Sequence, residues 1–84
     1  GCIFINADLA LTDANHPVHD VVRRHKDAVR ELLAGELRAF GHADPKVGAE
    51  ELLLLVDGAL VAGALRPDRH PAHAARRLAE KVFD

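Results

Sequence analysis

Several residue types are missing or nearly missing from this sequence. It has no tryptophan, tyrosine, methionine or serine, and it has one cysteine among its 84 residues. A single cysteine cannot form an internal disulfide bond, which fits a reducing compartment. There is also no HExxH motif, no phosphate-binding glycine loop and no nucleophile elbow, so the sequence predicts neither an enzyme nor a bound cofactor.

The residues that are present indicate a small helical domain. Apolar residues make up 49% of the chain and are mainly aliphatic side chains and alanine, which suit helices. The formal net charge is −2, so no overall positive charge points to a nucleic-acid partner. A chain of 84 residues forms at most one domain and is marginally stable alone. Because it opens as GCIFIN without a methionine, we expect a fragment of a longer protein.

The segment Glu50–Leu65, EELLLLVDGALVAGAL, organises the rest of the chain. At about 100° per residue, its apolar residues fall on two nearly opposite sides of a helix. One side carries Leu52, Val56, Ala59, Leu60 and Gly63, and the other carries Leu54, Val61 and Leu65. We expect one side to face the chain's own core and the other to face a second subunit. The segment is too short to cross a bilayer, which needs about 20 apolar residues.

Three longer segments begin with a polar residue followed by proline, which is well tolerated at the first helical position. They predict helices from Pro17 to about Phe40, from Pro45 to about Leu65 and from Pro71 to about Phe83. Residues 3–11, IFINADLAL, are ambiguous by periodicity, and we interpret them as a short helix because no second strand candidate exists. The predicted fold class is all-α, with one short and three longer helices.

Some polar residues are candidates for a functional role. His25 and Glu36 project into the apolar stripe of the helix that begins at Pro17, which comprises Val18, Val21, Val22, Val29, Leu32, Leu33 and Phe40. They either line a ligand cavity or are half exposed and bonded to a neighbouring helix. Asp57 interrupts the central apolar segment, and it either bonds across a subunit interface or lies in a solvated gap.

The six histidines raise the question of a metal site. His16 and His19 are three residues apart, as are His70 and His73, and this spacing can place two imidazole rings on one helical face. However, no cluster of cysteine, aspartate and glutamate completes a four-ligand site. The sequence therefore predicts no metal ion.

In their order and spacing, the segments resemble a known family. GCIFIN, then HPVHDVVRRHKDAVRELLAGELRAFG, then DPKVGAEELLLLVDGALVAGAL, then a short helix rich in alanine and arginine resemble the C-terminal regulatory half of a TetR-type transcriptional regulator. The resemblance covers residues 1 to about 82. It implies a repressor domain that binds an effector and dimerises. The composition, high in alanine, arginine, leucine and aspartate with little lysine, indicates a bacterial source, and we expect a cytoplasmic protein without membrane contact.

The resemblance also implies how such a chain works. Regulators of this type carry an N-terminal helix-turn-helix domain, which is absent from this sequence and through which alone they would contact DNA. The last two helices of the C-terminal domain pair with a second subunit as a four-helix bundle. Helices just before them surround a pocket for a small apolar effector, which alters the DNA affinity of the full-length protein.

Carried onto this sequence, the resemblance assigns residues to both roles. The dimer interface would comprise Leu53, Asp57, Leu60, Val61, Ala64, Ala75, Ala79 and Val82. The ligand-binding residues would be Phe4, Ile5, Leu9, His25, Val29 and Leu33. Two other hypotheses stay open, namely a stand-alone helical homodimer that acts as a protein-interaction module and a histidine-bearing metal sensor. An apolar compound that raises the melting temperature would favour the regulator, and sensitivity to chelators would favour the sensor.

Overall fold

The computed structural model describes residues 17–84. It contains three α-helices, α1 (Pro17–Phe40), α2 (Pro45–Leu65) and α3 (Pro71–Val82), with a 3-10 turn at Pro67–Arg69 between α2 and α3. No strand occurs in this part of the chain, so the all-α prediction and the three longer helices are confirmed. The short helix predicted within residues 3–11 lies outside the described residues. None of the three helices is long and apolar enough to cross a membrane.

Local sequence explains where the helices begin and end. Asp44 caps α2, since its Oδ1 accepts a hydrogen bond from the backbone N–H three residues later at 3.4 Å. α1 ends at Phe40, and the next residue, Gly41, has a φ of 94°, in the left-handed region that favours glycine. The N–H groups of Gly41 and His42 donate to the carbonyls of Arg38 and Leu37 at 3.1 and 2.9 Å. These two bonds form a Schellman motif, which satisfies the last carbonyls of α1.

The three helices lie side by side in a single layer. α2 is in the centre, with α1 packed along one flank and α3 along the other. The principal-axis extents of the structure are 40 × 32 × 14 Å. The smallest extent is less than half of either of the other two, so the described part of the chain is flat. Within residues 17–84, no further helix covers either broad face of the layer.

Few side chains are buried inside this layer. The core cluster consists of Ala34 and Leu37 from α1 and Ala49 from α2, with Leu33 and Leu52 packed against it. Alanine at two of these positions lets the backbones of α1 and α2 approach closely near the loop that joins them. The cluster therefore fixes the closed end of the α1–α2 pair, and the open end depends on other contacts.

The contact face of α1 differs from its predicted apolar stripe. Leu32 and Phe40 belong to that stripe but are 66% and 71% exposed, whereas Ala34 and Leu37 are each 3% exposed. α1 therefore meets α2 along one edge of the stripe. The remaining apolar side chains point toward one open face of the layer, because α2 can cover only one flank of α1.

Candidate functional site: two apolar surfaces on one helix pair

An apolar groove runs between α2 and α3 on one face of the layer. This alanine groove is lined by Leu52, Leu55, Val56, Ala59, Leu60, Ala72, Ala75, Arg76 and Ala79. Its volume is about 380 Å³. The small side chains of α3 form one wall and the branched side chains of α2 form the other, with Arg76 as the only polar lining residue. Such a surface offers almost no hydrogen-bonding groups.

The opposite face of the same helix pair carries a second apolar surface. This leucine face consists of Leu54, Val61, Leu65 and Leu78. Leu54 and Leu65 are 72% and 73% exposed, and Leu78 is 49% exposed. A shallow depression on this face is bordered by Glu51 and Lys81. Along α2, positions 54, 58, 61 and 65 follow the alternating spacing of four and three residues that is typical of a seam between two helices.

Ion pairs between α1 and α2 show which way α1 is turned. Arg30 donates to Glu50 of α2 and to Asp27 of its own helix, and Lys26 donates to Asp57 of α2. On a helical projection of α2, Glu50 and Asp57 lie between the contact with α1 and the leucine face. The charged side of α1 therefore shares a face of the layer with the leucine face. Its apolar side shares the other face with the alanine groove.

The pair Lys26–Asp57 holds the open end of the α1–α2 contact. The two side chains are 19% and 31% exposed, which makes this pair more sheltered than Arg30–Glu50, at 33% and 61%. Asp57 thus bonds within its own chain, an option that the sequence analysis did not raise. The sequence could have predicted this ion pair. If the helices on either side of the loop at residues 41–44 are antiparallel, Lys26 and Asp57 are nearly the same number of residues from the loop and therefore lie side by side.

The structure places the predicted dimer-interface residues in different surroundings. Two are buried within the protomer, namely Leu53 and Val82, at 5% and 9% exposure. Three line the alanine groove, namely Leu60, Ala75 and Ala79. Val61 belongs to the leucine face and is 41% exposed, and Ala64 is also exposed. The structure therefore does not gather these residues on one surface, and Asp57 faces Lys26.

The structure describes three of the six predicted ligand-binding residues. Phe4, Ile5 and Leu9 lie outside the described residues. The other three are on α1, where Val29 and Leu33 are half-buried and His25 is exposed, as is Glu36. Leu33 packs with Leu52 against the core cluster, and Leu52 also lines the alanine groove. Leu33 therefore lies close to the groove.

The two histidines at the start of α3, His70 just before the helix and His73 within it, lie in contact. The rings of His70 and His73 stack with their centroids 5.2 Å apart and their planes 12° apart. Between residues 17 and 84, no group of three or more histidine, cysteine, aspartate or glutamate side chains is placed to hold a metal ion. His16 of the other pair lies outside the described residues.

The turn between α2 and α3 is held by a two-fold hydrogen-bonded ion pair. Arg66 donates from Nε and from its terminal nitrogen to the two carboxylate oxygens of Asp68, at 2.9 and 2.7 Å. These bonds lower the pKa of the Asp68 carboxyl below its ordinary value and raise the pKa of Arg66. Both groups are exposed, so the pair orients the turn and adds little to stability.

Comparison with known proteins identifies the family. The model for the C-terminal domain of tetracyclin repressor-like proteins matches residues 9–84. The chain belongs to this family. It is a tetracyclin repressor-like C-terminal domain, and this family is non-enzymatic. This agrees with the absence of catalytic motifs from the sequence.

Two curated relatives of this tetracyclin repressor-like domain carry the name HTH-type transcriptional regulator YjdC, one from Escherichia coli (strain K12) and one from Shigella flexneri. Each is 28% identical to this chain over 83 residues. The aligned region is 99% of this chain but only 44% of each relative, so the chain spans less than half of their length. No solved structure matches the chain.

Proposed function

We propose that this chain is the dimerisation and effector-binding domain of a TetR-like transcriptional repressor, in which a small apolar ligand changes the DNA affinity of the full-length protein. The observation that carries this proposal is the single helix layer whose α2–α3 pair is apolar on both faces. Monomers in water rarely expose large apolar patches unless these bind something. We therefore expect each face to bind a partner, and the leucine face and the alanine groove suit partners of different kinds.

The leucine face suits a second copy of the chain. It is formed by α2 and α3 alone, because the charged side of α1 borders it and is best left in water. A twofold axis through this face would bring two helices from each copy together as a four-helix bundle. Gly58 lies within the seam and lets the partner helix come close. This interface keeps Val61 from the predicted set and adds the three leucines of the leucine face.

The alanine groove suits the effector. It lies on the same face of the layer as the apolar side of α1, where Val29 and Leu33 are found. Hydrocarbon from three helices would then surround a small apolar ligand, which is the usual construction of such a pocket. Phe4, Ile5 and Leu9 remain in the proposed ligand set because their segment leads directly into α1. His25 also remains in it, as an exposed polar group on the apolar side of α1.

In this arrangement, ligand binding would affect DNA affinity through α2 and α3. A ligand in the groove touches one side of the two helices whose other side meets the second copy. A change in their spacing would alter the distance between the two DNA-binding domains of the dimer. Affinity for a two-half-site operator would then fall, since half-site spacing is geometric.

A matched pair of charge substitutions tests the placement of the interface. Leu54→Asp puts a carboxylate on the leucine face, and Leu60→Asp puts one in the alanine groove. We expect sedimentation equilibrium of the 84-residue chain to show a dimer for the unmodified chain and for Leu60→Asp, and a monomer for Leu54→Asp. A dimeric Leu54→Asp together with a monomeric Leu60→Asp would move the interface to the groove.

The ligand is tested by thermal unfolding of the same chain with a panel of small apolar compounds. At least one compound should raise the melting temperature, and Leu60→Asp should remove that effect. A dimer that no compound stabilises would instead support a stand-alone protein-interaction module.

A further inference from the structure

We propose that His42 is a positioning residue for the dimerisation surface. From the loop between α1 and α2, its ring holds the C-terminal end of α3 against α2. This inference rests on the proposed function in one respect, namely that α2 and α3 carry the interface with a second copy. Its structural part, the fixing of α3 by His42, stands on contacts within one protomer.

The backbone around His42 is fixed before its ring makes any contact. Its N–H donates to the carbonyl of Leu37 at 2.9 Å as one of the two bonds of the Schellman motif. Two residues later, Asp44 caps α2. The ring is therefore carried by a short loop that is anchored at both ends, so little conformational entropy is lost when the ring is ordered.

Both ring nitrogens of His42 have partners. The backbone N–H of Asp44 donates to Nδ1 at 3.0 Å, and Nε2 lies 2.6 Å from the carbonyl oxygen of Val82. A backbone N–H can only donate and a carbonyl oxygen can only accept. The neutral ring with its proton on Nε2 satisfies both partners, so the geometry assigns that tautomer.

The carbonyl that His42 binds is one that α3 cannot satisfy itself. Val82 is the last residue of α3, and the final carbonyls of a helix have no partner within it. The next two N–H groups, of Phe83 and Asp84, donate to the carbonyls of Glu80 and Lys81 at 3.2 Å each. The carbonyl of Val82 is therefore left to the ring. Because α3 is only 12 residues long and packs mainly on α2, a bond at its end fixes its angle.

Gly48 provides the space that the ring occupies. A Cβ atom added at Gly48 would lie 2.9 Å from Cδ1 of Leu37 and 3.1 and 3.2 Å from Cε1 and Nε2 of His42. The first turns of α2 thus contain a glycine, which weakens a helix, at the position where the ring passes. Phe40 and Phe83 close the same corner, with their rings edge to face at 5.5 Å.

The contacts of His42 with the end of α3 affect the leucine face, although His42 is not part of that face. Leu78 is the contribution of α3 to that face, and it lies one turn before Val82. The depression on the leucine face is lined by Leu54, Leu78 and Val82 together. If the end of α3 is released, Leu78 shifts relative to Leu54, and the surface offered to a second copy changes.

Two amide substitutions separate the two hydrogen bonds of the ring. In His42→Gln, the amide nitrogen reaches the position of Nε2 and can still donate to Val82. In His42→Asn, the amide oxygen can still accept from Asp44 but the side chain is too short to reach Val82. His73→Asn is the matched control, since it changes an exposed histidine of α3 in the same way. The readouts for the 84-residue chain are amide hydrogen exchange of α3 and the dimer dissociation constant.

We expect His42→Asn to speed exchange of the α3 amides about fivefold, as the loss of one partly buried hydrogen bond predicts, and to weaken the dimer. His42→Gln should stay within about twofold of the unmodified chain, and His73→Asn should change neither quantity. The ring nitrogen shifts should show a proton on Nε2. Equal behaviour of the Gln and Asn variants, or a proton on Nδ1, would overturn the assignment. A chain that is monomeric at every concentration would defeat the dimer proposal, whereas exchange and nitrogen shifts would still decide whether His42 holds α3.

Discussion

Replacement of Leu54 by alanine probes the proposed dimer surface with a calculable effect. The side chain is 72% exposed, so the protomer loses little when it is shortened. Alanine lacks the equivalent of about three methylene groups, which contribute about 2.4 kcal/mol on full burial at about 0.8 kcal/mol each. If a partner covers the exposed fraction, one copy contributes about 1.7 kcal/mol and the two copies in a symmetric dimer about 3.5 kcal/mol. The dissociation constant should then rise about 300-fold.

Leu32→Ala is the matched control for this experiment. Leu32 is 66% exposed, nearly as much as Leu54, but it lies on α1 and away from the leucine face. Sedimentation equilibrium would give the two dissociation constants, and urea unfolding at low protein concentration would check that both protomers stay folded. If Leu54→Ala shifts the dissociation constant no more than Leu32→Ala does, the leucine face is not the interface.

Three other changes have defined outcomes. Gly48→Ala should lower the free energy of unfolding by about 1–3 kcal/mol, because the added Cβ crowds the side chains of Leu37 and His42. Gly35→Ala should raise it by about 0.5–1 kcal/mol, because nothing lies within 4 Å of its added Cβ and alanine favours the helix. Urea titrations measure both changes. Asp57→Asn leaves the ammonium of Lys26 partly buried without its carboxylate, so thermal unfolding should show a loss of about 1–3 kcal/mol, part of which Lys26→Met restores. The Asp68 carboxyl should titrate by NMR below its ordinary pKa and return to it when its arginine partner is replaced. Because that pKa is lowered, the contribution of the ion pair to stability is complete above the ordinary pKa and disappears as pH falls through the lowered one.

The helix boundaries could be predicted from the sequence because local chemistry sets them. Gly41 supplies the left-handed residue that ends α1, and Asp44 with the following proline begins α2. The two apolar sides of α2 could also be predicted from the sequence, since Leu52 and Leu54 lie about 200° apart on any regular helix. These features depend on a few neighbouring residues, and tertiary packing did not override them.

The contacts between helices could not be predicted in the same way. The apolar stripe of α1 has two edges, and periodicity does not tell which edge meets α2. In the structure Leu37 and Ala34 decide it, because Leu37 is buried against α2 and the small side chains of Ala34 and Ala49 allow the two helices to pack closely. The role of His42 has no periodic signal, since the residue lies in a loop and its partner is 40 positions away. Assignment of the leucine face likewise needed the ion pairs that orient α1.

A layer only one helix thick has a small core, here Ala34, Leu37 and Ala49, so the proposed dimer contact would add a large share of its stability. Folding and association are then linked by mass action, and a partner present at about 100 times its dissociation constant adds about 2.7 kcal/mol to the folded state. The melting temperature of this chain should accordingly rise with its own concentration. In a cell, newly made copies would stay open to proteolysis until a second copy or a ligand covers a face. The abundance of such a regulator would then respond to its own rate of synthesis.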